Sequence, residues 1–252
     1  MDRTTSHSRI FTARNGAVRI AAIYFCMSTL VCLQTVRAQV RFNSDERRII
    51  TIADERRDAD SLLVYLASSD ANIARRAAIG IGNIGDTSMR EPLLRSLVHE
   101  GRDTVAEAEA FALGLLGPDA KTYHALIDDT KKHPTLERLK AIARTAPKAD
   151  SASAAETLHQ LAAEKKISAF TEADASMAFA LRHETASGMW NDLDALADND
   201  NPDIRWRAAY AFSRGADSLS LFEHRSTLNN LLLDQGSIEV RMFAAMAFGR
   251  WH

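Results

Sequence analysis

The side chains best placed to do chemistry in this sequence are arginines that recur at one position. Arg144, Arg214 and Arg250 fall at equivalent places near the end of three apolar helical stretches, and Arg182 falls one residue out of register in a fourth. A guanidinium fork binds a carboxylate bidentately, so a line of four could receive an acidic partner segment. Cations near helix C-termini also interact favourably with the helix dipole, by about 0.3–1 kcal/mol each, so the same row has a purely structural reading. A second set, Arg75, Arg205 and Arg241, stands at the start of such stretches.

Other constellations carry less. His99, His124, His133, His159, His183, His224 and His252 do not recur with carboxylates at helical metal-ligand spacing, and His124 with His133 makes only a weak zinc pair. Asp192-Leu-Asp194 and Asp198-Asn-Asp200-Asn-Pro-Asp203 have the alternating oxygens of a calcium loop, without a closing Glu at the required distance. The same residues are expected where a loop turns and caps the next helix. No zinc-protease, P-loop, nucleophile-elbow or dinucleotide glycine pattern occurs. Gly80, Gly82 and Gly85 suit close helix packing and a helix stop. Trp190, Trp206 and Trp251 each fall on a helix, where packing and partner contact are both open readings. No catalytic residue, cofactor or metal is expected.

The elements that position these residues repeat along the chain. Ile73-Ala-Arg-Arg-Ala-Ala-Ile-Gly-Ile-Gly-Asn-Ile-Gly-Asp86 recurs at Val105–Pro118, at Ile204–Asp217 and at Val240–Arg250, with weaker copies at Leu139–Arg144 and Met177–Arg182. Each copy follows a second amphipathic stretch, anchored at Leu66, Leu97, Leu126, Leu161, Leu196 and Leu232. The unit is therefore helix A, a short turn, helix B and a loop. Apolar positions in helix B recur every three or four residues, so one face is buried, and its Ala and Gly residues permit close approach of neighbouring helices. Pro92 begins a helix A, while Pro118, Pro134, Pro147 and Pro202 separate helices. The expected fold is all-α, an α-α superhelix of about six helix pairs. The loop-rich stretches around Lys131–Pro134 and Ala146–Lys148 are where the stack would bend or break.

Asp70-Ala-Asn-Ile73-Ala-Arg75-Arg-Ala-Ala with Gly82-Asn-Ile-Gly85-Asp86, and Asn201-Pro-Asp-Ile204-Arg205-Trp-Arg-Ala-Ala, resemble HEAT repeats of the short type found in phycobilisome lyases. The resemblance spans about residues 45–252 and weakens in the third and fourth copies. It implies a right-handed solenoid whose helices B line the concave side, serving as a protein-binding scaffold. It also implies that Arg75, Arg205 and Arg241 form an inter-repeat hydrogen-bond ladder. Pigment attachment does not carry over, because those lyases work inside photosynthetic cells and this chain carries an export-like start.

That start is residues 1–38. Arg3, Arg9, Arg14 and Arg19 precede an uncharged run from Ile20 to Leu33, and Val36-Arg37-Ala38 supplies a cleavage-like end. This is the pattern of a secretory signal peptide, with an uncleaved membrane anchor as the alternative. Both cysteines, Cys26 and Cys32, lie within it, so a mature chain would have neither disulfides nor a thiolate. Its removal takes away five arginines and one acidic residue, turning the net charge from −2 to −6. An acidic, cysteine-free exported chain suits a bacterial periplasm or cell surface. The 252 residues are 46% hydrophobic and 25% charged, which excludes a disordered chain and a polytopic membrane protein, and no basic–aromatic interleaving marks a nucleic-acid groove.

The last copy, at Val240–Arg250, ends without a polar capping helix, leaving Met242, Phe243, Met246 and Phe248 as candidates for partial exposure. Solenoids normally close on a polar outer face. Self-association through this edge is one expectation. Another is a downstream domain, because the chain also resembles the N-terminal repeat region of secreted bacterial HEAT-repeat proteins with a cyclophilin-type peptidyl-prolyl isomerase domain. Nothing in these residues matches the isomerase itself. The expected partner is another protein or an acidic peptide segment on the concave face, with no nucleic acid and no membrane after cleavage.

Overall fold

A computed structural model describes residues 42–182, 187–215 and 218–250. The chain divides into two units, Met1–Asn43 and Ser44–His252, and the second holds every described helix. The expected signal peptide and Trp251, His252 and His183 lie outside the described residues.

Among the described residues there are helices and turns but no strands. In chain order the helices are α1 (Ser44–Glu55), α2 (Leu62–Leu66), α3 (Ala71–Ile84), α4 (Arg90–His99), α5 (Asp103–Leu115), α6 (Ala120–Lys132) and α7 (Leu136–Thr145). They continue as α8 (Ser151–Ala163), α9 (Ala169–Leu181), α10 (Ser187–Ala197), α11 (Pro202–Gly215), α12 (Ser218–Glu223), α13 (Arg225–Leu232) and α14 (Ile238–Gly249). Helices α3, α5, α7, α9, α11 and α14 are the six helices B, and each packs on the next. Helices α4, α6, α8, α10 and α13 stack in the same way as helices A. The fold is an all-α solenoid. The two weak copies, α7 and α9, keep the B stack continuous, so the loop-rich middle does not break it.

Helix starts and stops follow local chemistry. The carboxylate of Asp70 accepts from the Asn72 amide at 2.8 Å and caps α3, while Asp119 caps α6 by accepting from Thr122 N–H at 2.8 Å. Ser168 and Ser237 do the same for α9 and α14. Gly85, at φ 79°, ends α3 in the left-handed conformation that glycine adopts without Cβ strain. In the acidic loop before α11, Asn199 accepts from Asn201 N–H and Asn201 from Asp203 N–H, both at 2.9 Å, so its alternating oxygens turn and cap the chain. Pro202 is the first residue of α11, where its missing N–H costs nothing, rather than a separator between helices.

The B helices pack closely where side chains are smallest. A Cβ on Gly82 would stand 2.7 Å from the Ala112 Cα, one on Gly114 3.2 Å from the Ala141 Cα, and one on Gly215 2.9 Å from the Ala180 Cβ. Ala77, Ala78, Ala110, Ala141, Ala180, Ala208, Ala209 and Ala244 fill the same layer, fully buried. Between the A and B layers sit Leu93, Leu113, Tyr123, Leu139, Leu158, Phe179 and Phe212. Phe212 also stacks on Trp190, with centroids 5.6 Å apart. Helix-A anchors Leu66, Leu97, Leu126, Leu161 and Leu196 are buried as expected. In α13 the buried pair is Leu228 and Leu231, and Leu232 is turned outward, 37% exposed; one residue of register is about 100° around a helix.

One helix precedes the repeats read from the sequence. Helix α1 packs on α3 and α2, burying Ile49 and Ile52, and so occupies the B layer ahead of the first pair. Its other side carries Arg47, Arg48, Asp54 and Glu55.

Two substitutions test this packing. Gly82→Ala should lower unfolding stability by about 1–3 kcal/mol, because the new methyl meets backbone that can yield only by separating α3 from α5. Phe212→Ala should cost about 3–5 kcal/mol, and a loss below about 1 kcal/mol in urea titration would place that ring outside the core.

Candidate interaction surface

The exposed side of the B layer carries the charged and aromatic side chains that the core does not use. A groove of about 400 Å³ opens on α3, α5 and α7, lined by Arg75, Ile79, Thr104, Glu107, Ala108, Phe111 and Glu137. Ile79 and Phe111 are half-buried and form its apolar floor. The Arg144 guanidinium lies 5.6 Å from the centroid of the Phe111 ring. Arg75 is exposed and makes no hydrogen bond or ion pair among the described residues.

That position of Arg75 corrects its expected role in an inter-repeat ladder. Aligning Ile73 with Ile204 puts Ala74, not Arg75, opposite Arg205. One residue of offset rotates Arg75 by about 100°, off the loop side and onto the open face. Arg205 and Arg241 do clamp a loop. Arg205 Nε donates to Asp234 Oδ2 at 2.6 Å and its Nη1 to the Asn199 and Asp200 carbonyls at 2.9 Å, while Arg241 donates to the Asp234 carbonyl at 2.6 Å. In the early repeats Arg102 takes this part, donating to the Ser68 carbonyl at 2.9 Å and pairing with Glu100 at 2.7 Å. Its place just before α5, outside the repeated motif, hides it from a motif search.

The row of arginines at helix-B ends is spread over several contacts. Arg182 donates to the Ala146 carbonyl at 3.3 Å and Arg250 to the Arg214 carbonyl at 3.2 Å, each reaching back to the end of the preceding helix B. Arg144 lies over Phe111, and Arg214 lies 5.5 Å from the Tyr210 ring. The helix-end electrostatics and the guanidinium stacking thus coexist in one row.

Farther along, ion pairs run across the B layer. Asp174 on α9 accepts from Lys140 on α7 at 2.8 Å and from Arg207 on α11 at 3.2 Å. The Arg207 guanidinium also covers the Phe170 ring at 4.2 Å and the Trp206 ring at 4.4 Å. Trp206 stacks on Phe243, so it bridges the last two helices B. This charged ladder was not visible in the sequence, because its members lie 33 or 34 residues apart.

Two further ionisable clusters lie away from this face, one sealed in the core and one partly exposed. Glu109 on α5 is fully inaccessible; burial, reinforced by the charge of Glu100, pushes its carboxyl up to about 7 against the opposing pull of Ser96, Arg102 and Arg138. Ser96 donates to its Oε1 at 2.5 Å, while Oε2 has no partner. No solvent path reaches it, so it is a core residue rather than an acid catalyst. On the A side, His159 Nδ1 lies 2.7 Å from Asp192 Oδ2 and His224 Nδ1 2.7 Å from Asp194 Oδ2, so one helix, α10, is tied to both neighbours. Asp192 holds the His159 pKa above its ordinary value. Burial first, and then the Asp192 charge, push Glu172 up to about 7. The hydroxyl beside the second pair, Thr227, donates to Asp194 at 2.5 Å rather than to the imidazole, so it is not placed as a nucleophile activated by His224. Among the described residues no group of three or more His, Cys, Asp or Glu is arranged to hold a metal.

No family model matches the chain, and no curated protein matches it. Solved structures do: one, described as the crystal structure of an engineered protein from a structural genomics consortium, aligns with TM-score 0.53 over 77% of this chain and 96% of its own length. At 19% identity, that likeness concerns the helical fold alone.

The buried acids set a pH dependence. Glu109 and Glu172 have folded pKa values above their ordinary 4.5, so the native state favours their protonated forms. The two acids therefore lower stability as pH rises from about 4.5 to 7, and the raised His159 continues the loss from its ordinary 6.5 upward. Glu109→Gln should remove about 2 kcal/mol of the stability difference between pH 5 and pH 8. Parallel wild-type and variant melting curves across that range would contradict the assignment.

Proposed function

We propose that this chain is an exported, non-catalytic scaffold that holds a partner polypeptide on its B-helix face, with the α3–α5–α7 groove as the anchoring point. The helical repeat fold supports an interaction role, since such stacks present long surfaces made of many independent side chains. The observation that carries the reading is the groove itself: an Ile79–Phe111 floor, an unpaired Arg75 on one side, Glu107 and Glu137 on others, and Arg144 stacked at the edge. An apolar partner side chain would bury against Phe111 while its neighbouring carboxylates meet Arg75 and Arg144. The rest of the arginine row, Arg182, Arg214 and Arg250, would extend the same edge for an acidic partner segment. Export rests on the signal-like residues 1–38.

The test is capture from an envelope extract by residues 39–252 carrying a photo-crosslinking side chain at Ile79. A specific crosslinked polypeptide should weaken at least ten-fold, about 1.4 kcal/mol, in Phe111→Ala and in Arg75→Glu, while Arg225→Glu on the A side leaves it unchanged. Undiminished crosslinking in both groove variants, with helicity intact, would remove the groove from the reading.

A further inference from the structure

Among the described helices, α14 leaves the most large apolar side chains exposed. Ile238, Met242 and Met246 are 68%, 49% and 39% exposed, and Leu233, at the end of α13, adds another 69% exposed side chain. At 100° per residue, Ile238, Met242, Ala245, Met246 and Gly249 share one seam, and all five are classed as exposed. Buried Val240, Ala244 and Ala247 lie on the opposite side, against α11 and α13. Scattered apolar residues on a surface need no explanation, but a continuous helical seam of them does.

The charges beside this seam choose its occupant. Glu239 in the first turn of α14 and Arg250 just beyond its last turn are both exposed and lie on the same rim, about 60° and 80° from Met242 around the helix; Glu239 Oε2 accepts from the Ser237 hydroxyl at 2.7 Å and Arg250 Nη1 donates to the Arg214 carbonyl at 3.2 Å, which leaves Oε1 and Nη2 for a second copy. A two-fold axis in the interface, perpendicular to the helix, reverses the helix direction and keeps that rim on the same side. Glu239 of one copy then meets Arg250 of the other, and Arg250 meets Glu239, while Met242 packs on Met246 in both directions. The seam is thus complementary to itself in charge and in apolar content, as an isologous contact requires. Among the described residues α1, ahead of the first pair in the B layer, exposes Arg47, Arg48, Asp54 and Glu55 rather than an apolar seam of this kind. We infer that α14 pairs antiparallel with α14 of a second copy of this chain, forming a closed two-fold dimer.

Sedimentation equilibrium of the exported chain, from about 1 to 100 μM, tests this directly. The wild type should approach twice the monomer mass within that range, and Met242→Glu should hold it at monomer mass with unchanged helicity. Glu239→Arg alone and Arg250→Glu alone should each weaken dimerisation at least ten-fold, and the double exchange should restore it, since the exchanged charges face each other again. A wild type that stays monomeric throughout would overturn the inference. So would a dimer indifferent to Met242→Glu, and so would a double variant no better than the singles. A wild type that stays monomeric would leave this face to a hetero-partner or a further repeat.

Discussion

Close approach of the B helices at glycine and alanine is the constraint from which the rest of this solenoid follows. Gly82 against Ala112, Gly114 against Ala141 and Gly215 against Ala180 leave no room for a β-carbon or leave it only at tight contact. Removing side-chain bulk there brings backbone to backbone, and interiors packed at crystal-like density cannot absorb even a methyl without moving a helix. The α3–α5, α5–α7 and α9–α11 contacts are held in this way, and the stacking of successive helices B makes residues more than thirty positions apart in sequence lateral neighbours. The Lys140–Asp174–Arg207 ladder and the groove between α3, α5 and α7 both depend on that spacing.

Polar chemistry secures the loops that the small residues cannot reach. Arg205 and Arg241 tie down the Asp234 loop, Arg102 bridges back to the Ser68 carbonyl, and Arg90 reaches the Leu116 carbonyl across a repeat boundary. These bonds satisfy carbonyls that a helix end or turn would otherwise expose, which matters more than any attraction between surface charges. On the A side the equivalent fastening uses the two His–Asp pairs of α10. The C-terminal repeats are thereby held by aspartates on both layers, Asp174 and Asp234 on one and Asp192 and Asp194 on the other. Such fastening leaves Arg75 and the α14 seam as surface features that no repeat neighbour consumes.

The ionisable groups divide by access to solvent, and this separates structural chemistry from recognition. Glu109 is sealed in the core, where burial pushes its carboxyl up to about 7, and Glu172 is half-buried and pushed up by the same cause. Glu107, two residues before Glu109 on the same helix, faces the groove instead. Two positions along a helix are about 200° apart, so one turn of α5 supplies both a sealed carboxyl and an exposed one. A solenoid can do this at every repeat, because its helices B have one face in the core and one in solvent.

The sequence by itself determined the class of fold. The repeated Ile-x-x-x-Ala-Ala pattern with its small residues, the capping residues Asp70 and Ser237 and the stop at Gly85 are local signals, and local hydrogen bonding and 3.6-residue periodicity fix what they do. It also pointed to the arginines at the helix-B ends, because they follow from position within a repeat. What it did not determine is which arginine faces which way. Arg75 and Arg205 look equivalent as helix-start residues, yet one residue of register sends the first to the groove and the second to Asp234. Likewise Leu232 looked like an anchor, but Leu231 took the core position. Tertiary structure alone decided the extra B-layer helix α1, the Asp174 ladder, the burial of Glu109 and the floor of the groove. Each of these depends on the rotation and spacing of helices from different repeats, which periodicity within one helix does not specify.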